Sequence, residues 1–139
     1  MEEKSRFGLA ASPQLERTLL ALVSAFLTVY ALALTLAPAV RLRTWDVDYR
    51  WQHWLGVLVW AGIFWFLHRV LTRLPEHDPL LLPAAGLLTG WGLLTIYRLI
   101  AGFGLRQTVW LALIGLVLVF SLRRPSHLSL LRRFKYLWL

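Results

Sequence analysis

Apolar residues arrive in four long runs, roughly Thr18 to Ala37, Trp51 to Leu71, Leu80 to Tyr97 and Leu105 to Leu122, each about 18 to 21 residues long. A helix rises about 1.5 Å per residue, so about 20 residues cross the hydrocarbon of a bilayer, and every run is long enough. No water satisfies backbone amides inside hydrocarbon. The runs therefore predict helices, with the polar interruptions at Arg41–Arg50, Arg73–Pro79 and Arg98–Arg106 at the membrane surfaces. A fifth apolar run opens at Phe134 and is continued only by Tyr136, Leu137, Trp138 and Leu139. The pattern predicts an all-α fold, a polytopic transmembrane helical bundle of four spans plus the start of a fifth, and the front part of a longer chain. Its divisions are an N-terminal tail over residues 1–17, two spans over 18–71, a helical hairpin over 72–122, and a basic segment leading into the fifth span over 123–139.

Composition agrees with that reading. Hydrophobic residues make up 58% of the chain, against about 45–50% in a soluble domain. The absence of cysteine excludes disulfides, thiolate metal sites, iron–sulfur ligation and a cysteine nucleophile. A net charge of +8 would point to nucleic acid in a soluble protein, but here the basic residues lie in segments beside lipid, and anionic headgroups are the expected counter-charge.

The basic residues also orient the chain. Counted by side, ten Lys and Arg residues lie before the first run, about the junction of the second and third, and after the fourth; five lie about the other two junctions. That excess predicts a cytoplasmic N-terminus. Lys4, Arg6 and Arg17 ahead of an apolar stretch, with Ala37-Pro38-Ala39 behind it, resemble a secretory signal, but about 20 apolar residues exceed the roughly 7–15 of a signal core.

The first outer segment interleaves charge with rings. Trp45, Tyr49, Trp51 and Trp54 suit the headgroup layer, where a ring is half buried while its N–H or O–H stays wet. Asp46 and Asp48 are two residues apart, on opposite sides of a helix, and no partner is close in sequence, so they are not read as a catalytic pair. His53 and His68 bracket the second run. Their 15-residue separation is about 22 Å along a helix with about 60° of rotation. Pigment or haem ligation is one reading of the two, and polar span ends in the interface is the other. Bis-histidine haem would need a matching pair on another span, and the other three runs contain no histidine. No metal site is expected, and no cofactor.

The third run holds the densest pattern. Asp78 is expected as N-cap and Pro79 as first helical residue, where a missing N–H is harmless. Gly86 and Gly90 form a G-x-x-x-G pair, a packing face expected to meet the fourth span. Arg98 and Arg106 close the outer boundary, with Gly102-Phe103-Gly104 between them as a compact outer turn.

From Asp78 to Leu139 the chain carries Asp-Pro-Leu-Leu-Leu-Pro, a Gly-rich apolar helix closing on Ile96-Tyr97-Arg98, then Arg106-Gln107 with Trp110 and Gly115, and then Leu131-Arg132-Arg133-Phe134-Lys135-Tyr136-Leu137-Trp138. This order resembles the opening of the FtsW/RodA/SpoVE family of cell-division and cell-shape proteins, known as SEDS, and is closest to members with two extra spans before the common core. The resemblance implies a multi-pass protein of the bacterial cytoplasmic membrane that polymerises lipid-linked disaccharide into peptidoglycan beside a penicillin-binding transpeptidase. It also implies a catalytic aspartate in a large outer loop well beyond residue 139, so no catalytic residue is assigned here. Arg106 and Gln107, with Arg98, match the family's outer helix boundaries. The very short outer turn departs from the pattern.

Arg123, Arg124, Arg132, Arg133 and Lys135 form a basic segment suited to anionic lipid, at about 1 kcal/mol per residue near the surface. Three functions remain. One is the N-terminal scaffold portion of a SEDS-type glycosyltransferase, inactive alone. The second is a non-catalytic accessory subunit of a respiratory or photosynthetic complex. The third, a four-span transporter, fares worst, because runs one, three and four lack Asp, Glu, Lys or His at mid-depth. The expected partners are the bilayer and other membrane subunits, not nucleic acid.

Overall fold

The computed structural model describes residues 13–73 and 78–123. They form four helices and no strand: α1 Pro13–Leu42, α2 Gln52–Leu71, α3 Leu81–Leu99 and α4 Ala101–Arg123. Among the described residues, three helices are long and apolar enough to cross a membrane, α1, α2 and α4. These make the chain a multi-pass helical membrane protein. α3 has 19 residues and is diluted by Gly86, Thr89, Gly90, Gly92 and Thr95. It is packed by other helices along most of its length, so it needs less of the apolarity that lipid contact demands.

α1 is longer than its apolar run. It starts at Pro13, so residues 13–17, expected in the tail, are helical. At the other end it passes through Pro38, which has no N–H for the Leu34 carbonyl, and continues to Leu42. Arg43 then takes a left-handed backbone, φ 52°, and the Thr44 N–H bonds to the Ala39 carbonyl at 3.3 Å. That is the Schellman arrangement, with arginine at the position glycine usually fills.

The start of α3 also differs from expectation. Leu80, not Asp78, is the N-cap, and Leu81 the first helical residue. Asp78 Oδ1 accepts the Leu80 N–H at 2.9 Å. The carboxylate thus closes a turn through Pro79 just before the helix.

The expected outer turn at Gly102-Phe103-Gly104 is helical. α3 and α4 are separated by Ile100 alone, which is extended at φ −144° and ψ 106°. The chain reverses there because Gly104 lets the Tyr97 ring lie directly on the α4 backbone. A Cβ at that position would overlap the ring.

The buried residues of α2, His53, Gly56, Trp60, Phe64 and Leu67, recur every three or four positions and make one stripe. α1 contributes Leu27, Ala31, Thr35 and Ala39 at intervals of four. α2 and α3 each pack on all the other helices, while α1 and α4 flank them on opposite sides. At the centre, Leu27, Trp60, Gly90 and Leu94 meet with no room for a water. Hydrocarbon offers no hydrophobic drive between helices, so close packing of this kind is what holds them.

Gly86 and Gly90 face α2 and α1, not α4 as expected. A Cβ at Gly86 would come within 3.3 Å of Phe64 and Trp60, and one at Gly90 would overlap Leu27. With no side chain there, the Trp60 indole N–H reaches the Gly86 carbonyl at 3.0 Å. α4 docks through other small residues. Gly115 receives Ile63, while Gly104 and Thr108 are buried. The opposite face of α4, including Val109, Ile114, Val117 and Phe120, is exposed at about 59–65%, as a lipid-facing surface should be.

Candidate functional site

The ends of α1, α2 and α3 beside the 43–51 loop enclose an open crevice of about 1020 Å³. Its rim carries three guanidinium groups. Arg41 lies in the last turn of α1, Arg50 just before α2, and Arg98 in the last turn of α3. All three are exposed, and among the described residues no carboxylate lies within ion-pair distance of any of them. Below the rim, α1 supplies a wall of Tyr30, Ala33, Leu34, Ala37 and Pro38. Residues 30 to 41 rise about 16 Å on a helix. The crevice thus has a basic mouth and a largely apolar depth.

His53 and Tyr97 complete the lining, and each is held by a buried network. His53 Nε2 lies 3.0 Å from the Ala31 carbonyl and 3.1 Å from Thr35 Oγ1. A carbonyl only accepts, so Nε2 must carry a proton. The Thr35 hydroxyl then donates to Ala31 O at 3.0 Å and accepts the Trp54 indole N–H at 3.0 Å. One side chain thereby satisfies two donors brought by α2 to the α1 backbone. For Tyr97, the Thr108 hydroxyl donates to Gly104 O at 2.9 Å, which leaves the tyrosine O–H to donate to Thr108 Oγ1, also at 2.9 Å. The bond ties α3 to α4. Gly56 lies against the same pair, since a Cβ there would meet Tyr97, Leu93 and Thr108 at 2.8–3.2 Å.

The opposite end of the bundle holds a second polar contact. Glu16, in the first turn of α1, is fully buried, and its Oε1 lies 2.7 Å from Nδ1 of His68 in the last turn of α2. An acidic group at a helix N-terminus and a basic one at a C-terminus are each favoured by the helix dipoles. At the next residue, the Arg69 guanidinium lies 5.0 Å from the Trp65 ring centre.

The two histidines therefore have partners inside the chain. His53 is buried between the helices at the start of α2, and its Nε2 bonds to α1. His68, about four turns from His53 along α2, is bound to Glu16 of α1. Asp46 and Asp48 are exposed in the loop; Asp46 uses its N–H to bond Thr44 Oγ1 at 3.3 Å. Arg98 enters the crevice rim, whereas Arg106 and Gln107 stand exposed on α4 and do not line it. Arg124, Arg132, Arg133, Lys135 and the start of the fifth span lie outside the described residues, as does the side chain of Arg123. Among the described residues no group of three His, Asp or Glu side chains is placed to hold a metal ion.

Glu16, Thr35, Arg41 and Arg50 were not singled out by the sequence pattern. Arg41 and Arg50 are visible there only as loop charges, because their convergence with Arg98 depends on how α1 and α3 pack. Glu16 sits two residues before the apolar run, where nothing local marks it as buried. No protein-family model, curated protein or solved structure matches this chain.

Proposed function

We propose that the chain is a membrane-embedded scaffold, the N-terminal portion of a SEDS-type peptidoglycan glycosyltransferase acting in cell division or cell shape, with the polymerising chemistry carried elsewhere. In this reading α3 is also a span, the N-terminus is cytoplasmic, a fifth span follows, and a penicillin-binding transpeptidase is the partner. The observation that carries the reading is the ordered series of residues from Asp78 through Tyr97-Arg98 and Arg106-Gln107 to Tyr136. The site chemistry is compatible with a scaffold: the buried polar groups His53, Thr35, Tyr97, Thr108 and Glu16 serve helix-to-helix bonds. The rival reading, an accessory subunit holding pigment or haem through histidine, has only the other ring nitrogens to use, His53 Nδ1 and His68 Nε2, since His53 Nε2 and His68 Nδ1 bond within the chain.

The test is depletion of the protein in its native cell. The reading predicts filamentous or rounded cells and reduced incorporation of fluorescent D-amino acids into the wall. Normal shape and normal incorporation, accompanied by loss of oxygen uptake or of pigment absorbance, would replace it with the accessory-subunit reading.

A further inference from the structure

We infer that the crevice between α1, α2 and α3 binds one anionic phospholipid, with its headgroup phosphate among Arg41, Arg50 and Arg98 and an acyl chain along the α1 wall. The inference rests on the geometry of this crevice and does not depend on the family reading or on which leaflet the crevice opens to.

Three features point to that ligand. The first is charge without a counter-charge. Three arginines line one opening, and no described carboxylate approaches any of them within 4 Å. Guanidinium groups are always charged near neutral pH and bring forked donors that match phosphate oxygens. Like charges gathered at the edge of a low-dielectric bundle repel one another, so an anion from outside the chain lowers the energy of all three.

The second is what lies beneath. Ala33, Ala37 and Pro38 present short side chains, and Tyr30 closes the wall lower down against Trp91, with ring centres 6.0 Å apart. A free phosphate would use the mouth alone and leave that depth to water. A lipid fills both parts with matching chemistry.

The third is position. Arg41 lies in the last turn of α1 and Arg50 just precedes α2, two helices whose apolar length suits a bilayer, and Arg98 stands beside them in the last turn of α3, which puts all three where a headgroup would lie. Basic pockets between membrane helices are a recurrent means of holding anionic headgroups.

The experiment titrates the detergent-purified full chain with short-chain phosphatidylglycerol and counts bound lipid by native mass spectrometry, with phosphatidylcholine and inorganic phosphate as comparators. The expected result is one tightly held phosphatidylglycerol per chain, and weaker retention of phosphatidylcholine. The triple variant Arg41→Gln, Arg50→Gln, Arg98→Gln is expected to bind at least about tenfold more weakly. A control removing the same charge at the other end, Arg17→Gln, Arg69→Gln, Arg73→Gln, is expected to bind like the native chain. Should the crevice variant fail to fold, Ala33→Phe decides the matter, because Ala33 is exposed and the ring obstructs the apolar wall without touching charge. It too is expected to release the lipid. Equal losses in both arginine variants would show charge attraction without a site, and retention in the crevice variant or in Ala33→Phe would overturn the proposal. So would inorganic phosphate binding as tightly as the lipid.

Discussion

A methyl group added at Gly90 would overlap Leu27 and lie 3.1 Å from the Trp60 indole nitrogen, whereas one added at Gly62 or Gly92 would meet nothing within 4 Å. Overpacking of this kind costs about 1–3 kcal/mol, while alanine for glycine in an open helical position gains about 0.5–1 kcal/mol. Gly90→Ala and Gly104→Ala should therefore lower the melting temperature of the purified protein, and Gly62→Ala and Gly92→Ala should hold or raise it. Uniform effects at all four positions would deny the packing described. Arg43 offers the opposite case, since its left-handed φ of 52° is strained for any residue with a Cβ. Arg43→Gly should stabilise by about 1 kcal/mol, seen as a higher melting temperature. Part of this was legible in sequence. The spacing of Gly86 and Gly90 marks a close-packed face, but spacing alone does not say which helix arrives, and it is α1 and α2 that do. Gly104 was hidden because the arginines on either side, Arg98 and Arg106, made its segment read as a loop.

At the scale of the helices, the ends carry the information that apolar runs omit. α1 extends beyond its run at both ends, and in the process it places Glu16 against His68 and Arg41 at the crevice. Hydropathy locates the middle of a span well, since lipid demands apolar side chains there. It locates the ends poorly, because helical hydrogen bonding continues into the interface, where charged side chains are tolerated. The Glu16–His68 contact fastens the start of α1 to the end of α2. A double-mutant cycle with Glu16→Gln and His68→Gln should return a coupling of about 1.5–3 kcal/mol, the range for a hydrogen bond to a charged group. Additive effects of the two substitutions would mean that the pair is not a clamp. Tyr97 and Thr108 perform the same service for α3 and α4, where a single extended residue makes the connection.

For the molecule as a whole, class was the most legible property. Length and apolarity of the runs alone separate a membrane bundle from a water-soluble domain, because hydrocarbon leaves a helix so few other choices. The crevice was not legible, as Arg98 lies far along the chain from Arg41 and Arg50 and joins them only when α1 packs on α3. All the functional statements depend on helices that cross the bilayer and present the 43–51 loop and the Arg73 end to opposite sides. The chain has no cysteine, so single thiols introduced as Asp46→Cys and Arg73→Cys are read without background, and both positions are exposed. Labelling of intact cells with a membrane-impermeant maleimide tests the arrangement most directly. The cysteine at position 46 should label in whole cells and the one at position 73 only after the membrane is opened; equal labelling of the two would contradict a crossing by α2 and with it the account of the bundle.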